Sequence, residues 1–454
     1  MTLSEALARF IVSTDAGRLD PADASAAKAA IADCIGCMMA GSVTDSARIA
    51  RQVATSGASA GAATVIGATR RYSPQVAALA NGTAAHALDF DDILWTLYGH
   101  PSVTILSSAL AIAQDRAATG SELVTAYAIG VEVLGKLGRA VNPVHYEHGW
   151  HATASIGVIG AAAACARLLR LDEEKTAMAL GIAASQACGI RRNFGTMVKP
   201  LHAGNAARAG VFAAELAEQG FTSNITALED EYGWARTLGG RSVPDSDVLT
   251  RTLGEPWELR EPGIVLKRYP SCGATHCALD ALIALRNRHG LHHDEIERID
   301  CDASPFAHKV LLYSRPATGL EGKFSMEFCL AVAAIEGNVD LLHFNEDWIA
   351  DPRVTALLPR ISFNARADLA PDVSADAVPA EVSVRARGQL FTQKTLMPSG
   401  DPRNPMDEHA RWRKFLSCCK TMLDERQAKA LFDVVGALEM VACADLHEAL
   451  QPAS

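Results

Sequence analysis

The spacing of apolar and polar residues predicts helices along most of the first half of the chain. Asp20-Pro21 supplies an N-cap and a first-turn proline, and the apolar run after it ends at Gly41. A helix is therefore predicted over 21–40. Helical patterns also cover 173–189 and 205–219, and the second of these is rich in small residues that allow close packing.

The pattern changes near Lys267, after which helical and strand periods alternate. Helices are predicted over 275–288, 323–336, 407–422 and 424–441, and strands over 296–302, 359–364, 380–386 and 389–396. Arg387-Gly388 separates the last two strands as a hairpin turn. The predicted fold class is mainly α, with a large all-helical domain over 1–265 plus 398–454. A smaller α+β domain is inserted over 266–397.

Composition and charge describe an ordinary globular protein. The chain has 454 residues, of which 49% are apolar and 21% are charged, enough for large cores in two or three domains. The formal net charge of −10 argues against nucleic-acid and anionic-membrane partners, which basic surfaces bind. The longest weakly apolar run, 152–165, is short for a membrane span and is predicted to be an interior helix.

The cysteines and the first residues of the chain favour a cytoplasmic location. Thr2 and Glu5 are spaced as a capping box, and no basic-then-apolar leader is present. Eleven cysteines lie scattered along helical patterns, as is typical of reduced thiols used as small apolar residues. Cys34 and Cys37 form a CxxC within an apolar helix, and without a second CxxC they are interpreted as structural.

Most reactive side chains fall in five short segments marked by glycine or proline. These residues interrupt helices and burial of charge is costly, so we expect loops that carry a functional site. In an acidic protein a pocket for an anionic substrate must be locally basic, which directs attention to Lys199, Lys267 and Arg191. The segments are His86-Ala-Leu-Asp-Phe-Asp-Asp92, His100-Pro-Ser102, Gly149-Trp-His151, Lys199-Pro-Leu-His-Ala-Gly204 and Lys267-Arg-Tyr-Pro-Ser-Cys272.

Together with Asn81-Gly-Thr, Gly195-Thr-Met-Val and Lys323-Phe-Ser325, these segments resemble the MmgE/PrpD family over nearly the whole chain. The family includes 2-methylcitrate dehydratase, cis-aconitate decarboxylase and iminodisuccinate epimerase. The resemblance implies a homodimer with a helical domain and a lid-like α+β domain. It also implies action on a small di- or tricarboxylate without metal or organic cofactor.

The chemistry shared by such enzymes is loss of a proton or a carboxylate next to a carboxylate, which leaves negative charge to be stabilised. Lys199 matches the family's lysine motif and is interpreted as a carboxylate clamp or, if burial made it neutral, as a base. His100 and His151 are candidate proton shuttles, with a structural histidine as the alternative for each. By resemblance Asp89 faces the site, where it needs a cationic neighbour or a retained proton.

The HxxHxxH pattern of His145, His148 and His151 invites a zinc interpretation, which we reject. On one helix each step of three residues rotates by about −60°, so the outer two side chains diverge. Tyr146 in this segment is a more interesting candidate, because its phenol could exchange a proton on the face opposite Lys199. We therefore predict no metal ligands here.

The remaining candidates bind substrate, and one of them bears on the reaction. Asp91 and Asp92 are expected to act as caps or to orient His and Lys side chains. Cis-aconitate decarboxylases are expected to have a histidine at the position of Cys272, so this cysteine argues against decarboxylation. The predicted substrate-binding residues are Lys267, His202, Cys272, Arg191 and Ser102.

We therefore predict an enzyme that abstracts a proton next to a carboxylate, with dehydration of the 2-methylcitrate type as its main reaction. Epimerisation of an iminodisuccinate-like diacid is the first alternative, and cis-aconitate-type decarboxylation is the second. The alternative from another class is a non-catalytic helical scaffold that keeps the family fold.

Overall fold

A computed structural model describes residues 1–240, 246–369 and 378–450. It is about 60% helix and 10% strand, which confirms a mainly α fold class. The chain divides into two compact units. The first unit comprises Met1–Ala87, Asp91–Ile264 and Asp407–Ser454, and the second comprises Leu88–Phe90 and Val265–Met406.

The first unit is built from helices that start at side-chain caps. Thr2 and Glu5 form the expected capping box, and Asp20 accepts hydrogen bonds from the backbone of Ala22 and Asp23 at the next helix. The helices before residue 265 are α1 (Leu3–Ser13), α2 (Pro21–Gly41), α3 (Asp45–Thr55), α4 (Pro74–His86), α5 (Ser102–Asp115), α6 (Gly120–Val141), α7 (Val144–Glu147), α8 (Ala152–Ser155), α9 (Gly157–Leu168), α10 (Glu173–Ala184), α11 (Val198–Glu218), α12 (Trp234–Gly239) and α13 (Ser246–Arg251). A two-stranded sheet, β1 (Ala60–Thr64) with β2 (Arg71–Tyr72), accompanies them.

The two helices that flank the segment before Lys199 have boundaries that differ from the predicted ones. The helix predicted over 173–189 ends at Ala184, and the helix predicted from 205 begins at Val198. The segment from Lys199 to Gly204 is therefore helical, and the expectation of a loop there is wrong. The physical reason is that Pro200 lies in the first turn of α11, where the backbone N–H that proline lacks has no intrahelical partner.

Helices α4 and α11 approach closely at a pair of glycines. A Cβ built on Gly82 would lie 3.0 Å from the Cα of Gly204. A Cβ on Gly204 would overlap the carbonyl of Leu79 and the hydroxyl of Thr83. The missing side chains therefore set the distance between two helices that carry candidate site residues, His86 on α4 and Lys199 on α11.

The second unit contains a four-stranded sheet of order β4-β3-β5-β6, in which β3 pairs parallel to β4 and antiparallel to β5. Arg387 and Gly388 both have positive φ in the predicted hairpin turn, 55° and 69°. The elements are α14 (His276–His289), β3 (Ile296–Ala303), α15 (Pro305–Val310), α16 (Gly319–Gly322), α17 (Met326–Glu336), α18 (Glu346–Ile349), α19 (Pro352–Leu357), β4 (Ile361–Ala365), β5 (Ala380–Ala386) and β6 (Gln389–Thr395).

The last segment of the second unit lies beyond the predicted domain boundary at 397. Ser399 N–H donates to the Asp280 carboxylate at 2.6 Å, and Leu266 N–H donates to the Gly400 carbonyl at 3.0 Å. These bonds tie residues up to Met406 to the second unit. The chain then returns to the first unit with α20 (Glu408–Cys419), α21 (Glu425–Gly436) and α22 (Leu446–Ala449).

The apolar segments are interior. Cys34 and Cys37 are buried within α2, and all eleven cysteines are free thiols. The apolar run at 152–165 forms α8 and most of α9, both buried. Among the described residues, no single helix has the length and apolarity to cross a membrane, although α2 and α3 pass that test as a pair bent by 88°.

Substitution of Gly204 by alanine tests the packing of α4 on α11. We expect Gly204→Ala to destabilise the protein by about 1–3 kcal/mol, because the added methyl must push the two backbones apart. Gly436→Ala is the matched control, since no atom lies within 4 Å of a Cβ built there. Urea unfolding of both variants measures the difference, and an equal midpoint for Gly204→Ala and the wild type would contradict the close packing.

Candidate active site

Four histidines converge in the first unit from positions far apart in the sequence. His86 ends α4, His100 precedes α5, His151 is the N-cap of α8 and His202 lies in the second turn of α11. The ring centroid of His86 lies 4.6 Å from that of His100 and 5.5 Å from that of His151. The ring centroids of His151 and His202 are 5.3 Å apart. The fold therefore assembles an imidazole cluster, defined by these four residues.

Asp91 orients two members of the imidazole cluster. Its Oδ2 atom lies 2.8 Å from Nδ1 of His86 and 3.1 Å from Nδ1 of His100, which also lies 2.8 Å from the Asp92 carbonyl. Because carboxylate and carbonyl oxygens accept hydrogen bonds, Nδ1 carries the proton in both rings. When Nδ1 carries the only ring proton, Nε2 is the acceptor of the ring.

Burial and the contact between them set the charges of His86 and Asp91. Burial lowers the pKa of His86 to about 4, an effect that Asp91 opposes and the Lys199 ammonium reinforces. Burial alone would raise the pKa of the Asp91 carboxyl, but His86 and His100 outweigh it and hold that pKa well below its ordinary value. Asp91 is thus an ionised acceptor beside neutral imidazole.

The other two histidines contact each other directly. Nδ1 of His151 lies 3.1 Å from Nδ1 of His202, so one of these nitrogens donates and the other accepts. Burial lowers the pKa of His151 well below its ordinary value, and His86 and Lys199 lower it further. The pKa of His202 falls to about 4, again mainly through burial.

Two ring nitrogens of the imidazole cluster are buried without a hydrogen bond. Among the described residues, neither Nε2 of His86 nor Nε2 of His151 has a hydrogen-bond partner, although both atoms are buried. Such groups are costly in a folded protein and call for an explanation. Nε2 of His86 is an acceptor, whereas Nε2 of His151 accepts or donates according to the tautomer of the His151–His202 pair. Ring nitrogens of this kind beside a cation can bind an acid and exchange protons with it.

Lys199 is the cation of this group. Its side chain is in the first turn of α11 and is buried, with 5% of the residue exposed. Its Nζ lies 5.2 Å from the ring centroid of Phe194, which meets the His151 ring edge-on at 4.9 Å. The structure therefore brings Lys199, His100, His151 and His202 together, as a functional site requires.

Two glycines hold the backbone beside the imidazole cluster. His151 N–H donates to the Gly189 carbonyl at 3.0 Å, and Arg191 N–H donates to the Gly149 carbonyl at 2.8 Å. Gly149 and Gly189 have φ of 97° and 106°, a region that favours glycine. A Cβ on Gly189 would also lie 3.3 Å from Cγ of His202. Backbone hydrogen bonds thus hold the segment 149–151 against the segment 189–191.

Tyr146 and Arg191 form a contact pair. The guanidinium carbon of Arg191 lies 3.8 Å from the Tyr146 ring centroid, and its Nη1 donates to the Tyr146 carbonyl at 2.9 Å. The Tyr146 ring also packs against Tyr98 at 5.6 Å. An acid–base role for Tyr146 and substrate binding by Arg191 remain predictions.

The histidines of the HxxHxxH pattern serve different purposes. His145 lies in the short helix α7, with Nε2 2.7 Å from the Ser155 hydroxyl and Nδ1 3.2 Å from the Leu238 carbonyl. Both nitrogens of this ring are thus engaged within the protein, and burial lowers its pKa to about 4. His151 contacts His202 instead.

A buried polar network lies next to Asp91 in the chain. The Ser102 hydroxyl donates to the Asp92 carboxylate and lies 2.5 Å from the Tyr127 hydroxyl. Burial raises the pKa of Asp92 to about 8, although Ser102 lowers it. Asp92 also accepts a hydrogen bond from the Ser102 N–H at 3.3 Å and so anchors the start of α5. Substrate binding by Ser102 remains a prediction.

In the second unit, Lys267 supplies the cationic neighbour that Asp89 was expected to need. The fully buried Nζ of Lys267 donates to the carboxylate and to the carbonyl of Asp89, both at 2.8 Å. Cys272 is half-buried, and its N–H donates to the carbonyl of Lys323 at 2.9 Å. The Nζ of Lys323 in turn donates to the Pro270 carbonyl at 2.7 Å.

Sequence reasoning did not assign several residues that the structure places here. His86 stood in a singled-out segment without a role, although an acidic residue five positions later was a usable signal. Tyr127 carried no local signal, because apolar neighbours surround it in the sequence, and nothing near Phe194 in the sequence indicates its contact with His151. Their positions follow from packing between distant helices.

The buried neutral histidines predict acid sensitivity of the first unit. The pKa values of His86, His145 and His202 fall from 6.5 to about 4 on folding. Between these limits the unfolded chain binds protons that the folded chain does not, so stability should fall as pH falls below about 6.5, by up to about 1.4 kcal/mol per pH unit for each histidine.

Urea unfolding at about pH 7.5 and about pH 5 measures this effect. His145→Asn should show a smaller loss of stability between the two pH values than the wild type. Identical urea midpoints at both pH values would contradict the neutral, buried state of these side chains.

Comparison with known proteins assigns the chain to a family. Family models of the MmgE/PrpD N-terminal and C-terminal domains match residues 5–246 and 269–440. Cis-aconitate decarboxylase of Homo sapiens is 30% identical, covering 96% of this chain and 92% of the relative. The decarboxylase of Mus musculus is 29% identical (81% and 76% covered), and that of Aspergillus terreus is 26% identical (84% and 81%). The chain therefore belongs to the MmgE/PrpD family.

Proposed function

We propose that this chain is a lyase that acts on a small tricarboxylate of the cis-aconitate type and releases carbon dioxide. The observation that carries the proposal is the buried Lys199 beside neutral imidazoles with unsatisfied Nε2 atoms. The names of the relatives support decarboxylation better than the dehydration predicted from sequence. The proposal thus replaces dehydration with decarboxylation as the main reaction.

The proposed chemistry needs a cation and a proton source in a dry environment. When the carboxylate on the CH2 group next to the carbon–carbon double bond leaves as carbon dioxide, the electron pair of the broken bond forms a new double bond. The original double bond opens, and negative charge develops on its far carbon, which bears a second carboxylate. The Lys199 ammonium stabilises that charge, which would be poorly screened inside the protein. A proton then adds to the carbon, and Lys199 or His151 delivers it and recovers one from water.

Asp91 supports this chemistry through orientation. By accepting from Nδ1 of His86 and His100, it fixes the tautomer in which both Nε2 atoms accept protons. The His151–His202 contact offers a second path along which a proton can pass. The pair His86 and His100 thus offers acceptor nitrogens, and the pair His151 and His202 offers a path for proton transfer.

Cys272 favours a second candidate function. A cysteine stands where decarboxylases are expected to have a histidine, which favours epimerisation of an iminodisuccinate-like diacid or dehydration of a hydroxy acid. Both alternatives begin with proton removal next to a carboxylate, and the imidazole cluster supplies acceptor nitrogens for that step.

We further propose that the enzyme works as a cytoplasmic homodimer without a catalytic metal or organic cofactor, as the family resemblance implies. Lys267, His202, Cys272, Arg191 and Ser102 stay predicted substrate-binding residues. Light scattering tests the dimer. Turnover that survives exhaustive chelation would support metal-independent catalysis, whereas a loss that one added metal restores would contradict it.

Incubation in deuterium oxide with a panel of acids, followed by NMR, tests the proposed reaction. Decarboxylation of cis-aconitate should release carbon dioxide and place one deuterium on the product. Release of water from a hydroxy acid, or deuterium at a retained stereocentre of a diacid, would instead support dehydration or epimerisation. No reaction with any acid of the panel would contradict the enzyme proposal and support a scaffold.

Removal of the Lys199 charge tests its role. We expect Lys199→Met to lower kcat/KM at least about 100-fold, because a charge-assisted contact to the reacting carboxylates is lost. Lys420→Met is the matched control, since Lys420 is an exposed lysine of the same unit. Near-normal efficiency of Lys199→Met, with a folded protein by circular dichroism, would refute the assignment.

The acid–base candidates are tested by partial reactions. For an epimerase, Tyr146→Phe or His151→Gln should keep solvent-deuterium exchange with one enantiomer while net turnover fails, because the base on the other face still acts. For a lyase the same variants should slow release of product without selective exchange. Wild-type rates in both variants would move the role to His100 or Asp89.

A further inference from the structure

Two histidines and an aspartate, His292, His293 and Asp294, follow one another in the second unit on the turn that leads into β3. Asp294 contacts both rings, with Oδ2 3.3 Å from Nδ1 of His292 and Oδ1 2.9 Å from Nε2 of His293. One ligand atom from each residue lies within 4.8 Å of the other two. The proposed function does not use this group.

The donor set has the chemistry of a transition-metal site. Imidazole nitrogens with one carboxylate oxygen suit Zn²⁺ and its neighbours in the first transition row, whereas Mg²⁺ and Ca²⁺ prefer oxygen ligands. Three protein ligands leave the fourth position of a tetrahedral zinc to water. Each nitrogen–oxygen contact now present involves an atom that can bind a metal instead.

The turn is fixed before any ligand binds. The His292 N–H donates to the Glu295 carboxylate at 3.1 Å, and the Arg387 guanidinium donates to the same carboxylate and, at 2.9 Å, to the Gly290 carbonyl. These bonds join the turn to the β5–β6 hairpin. A site built on a rigid turn loses less entropy on binding than one that must first be ordered.

The side chains differ in exposure in a way that suits metal binding. The ring of His293 is 16% exposed, whereas the side chains of His292 and Asp294 are 59% and 73% exposed and can turn toward a bound ion. Among the described residues, the buried Nδ1 of His293 has no hydrogen-bond partner. A buried ring nitrogen without a hydrogen bond costs free energy in the folded protein and calls for an explanation.

We propose that His292, His293 and Asp294 form a binding site for Zn²⁺ or a similar transition-metal ion. The bound ion would clip the turn at the start of β3 and stabilise the second unit. Catalysis does not depend on it, since none of these three residues is a proposed catalytic or substrate-binding residue.

Zinc titration of the chelator-stripped full-length protein, followed by calorimetry, tests the site. The wild type should bind one Zn²⁺ at this site, and His292→Asn/His293→Asn should weaken that binding at least about tenfold. His409→Asn is the matched control, an exposed histidine on α20 that should leave zinc binding unchanged. Mg²⁺ at the same concentration should not compete.

A thermal measurement gives a second readout. Zn²⁺ should raise the unfolding temperature of the wild type and of His409→Asn but not that of the double variant, because a ligand that binds only the folded state stabilises it. Equal zinc binding by the wild type and the double variant, no binding by either, or equal competition by Mg²⁺ would overturn the proposal. Turnover of the double variant should match the wild type, which separates this test from that of the proposed reaction.

Discussion

The close approach of α4 and α11 is the constraint on which the site depends. Gly82 and Gly204 allow the two backbones to meet where a single methyl group would force them apart. Because His86 ends α4 while Lys199 and His202 begin α11, their spacing is set by this packing. Residues more than a hundred positions apart thus reach one region through a contact that contains no reactive atom.

The site also depends on a balance of charge inside an acidic protein. Burial makes three histidines poor bases toward water and so keeps them neutral beside the Lys199 ammonium. It lowers the pKa values of His86 and His202 to about 4 and holds that of His151 well below its ordinary value. A charged imidazole there would add repulsion and desolvation cost. Asp91 places one negative charge where two rings share it, which fixes their tautomers. The chain as a whole carries −10, so the cationic character is local.

Local signals predicted much of the fold. Asp20-Pro21 and the Arg387-Gly388 turn work because capping and positive φ involve neighbouring residues only. The start of α11 was missed because Pro200 suggested a break, although proline fits a first turn. For Asp91 the sequence predicted a cap or an orienting role toward His or Lys side chains, but not that it contacts both His86 and His100. The partners themselves depend on how α4 and α5 pack, which no short window contains.

The reaction was harder to predict than the residues, because dehydration and epimerisation begin with the same proton removal and decarboxylation leaves a similar negative charge next to a carboxylate. One residue, Cys272, shifted the prediction away from decarboxylation, whereas overall similarity to decarboxylases supports it. The family resemblance implies one fold for these reactions, which differ in the bond that breaks first and in the proton transfers that follow. Those transfers depend on where donors lie relative to the substrate carbon.

The most direct measurement is the turnover of Asp91→Asn, since this change keeps the size of the side chain but replaces the ionised carboxylate, whose Oδ2 contacts both imidazoles, by a neutral amide. We expect kcat to fall at least about 100-fold with a smaller change in KM, as when a residue that orients a catalytic histidine is replaced. Asp347→Asn, on the short exposed helix α18, should leave turnover unchanged. Wild-type kcat in a folded Asp91→Asn variant would contradict a site organised around the orientation of His86 and His100.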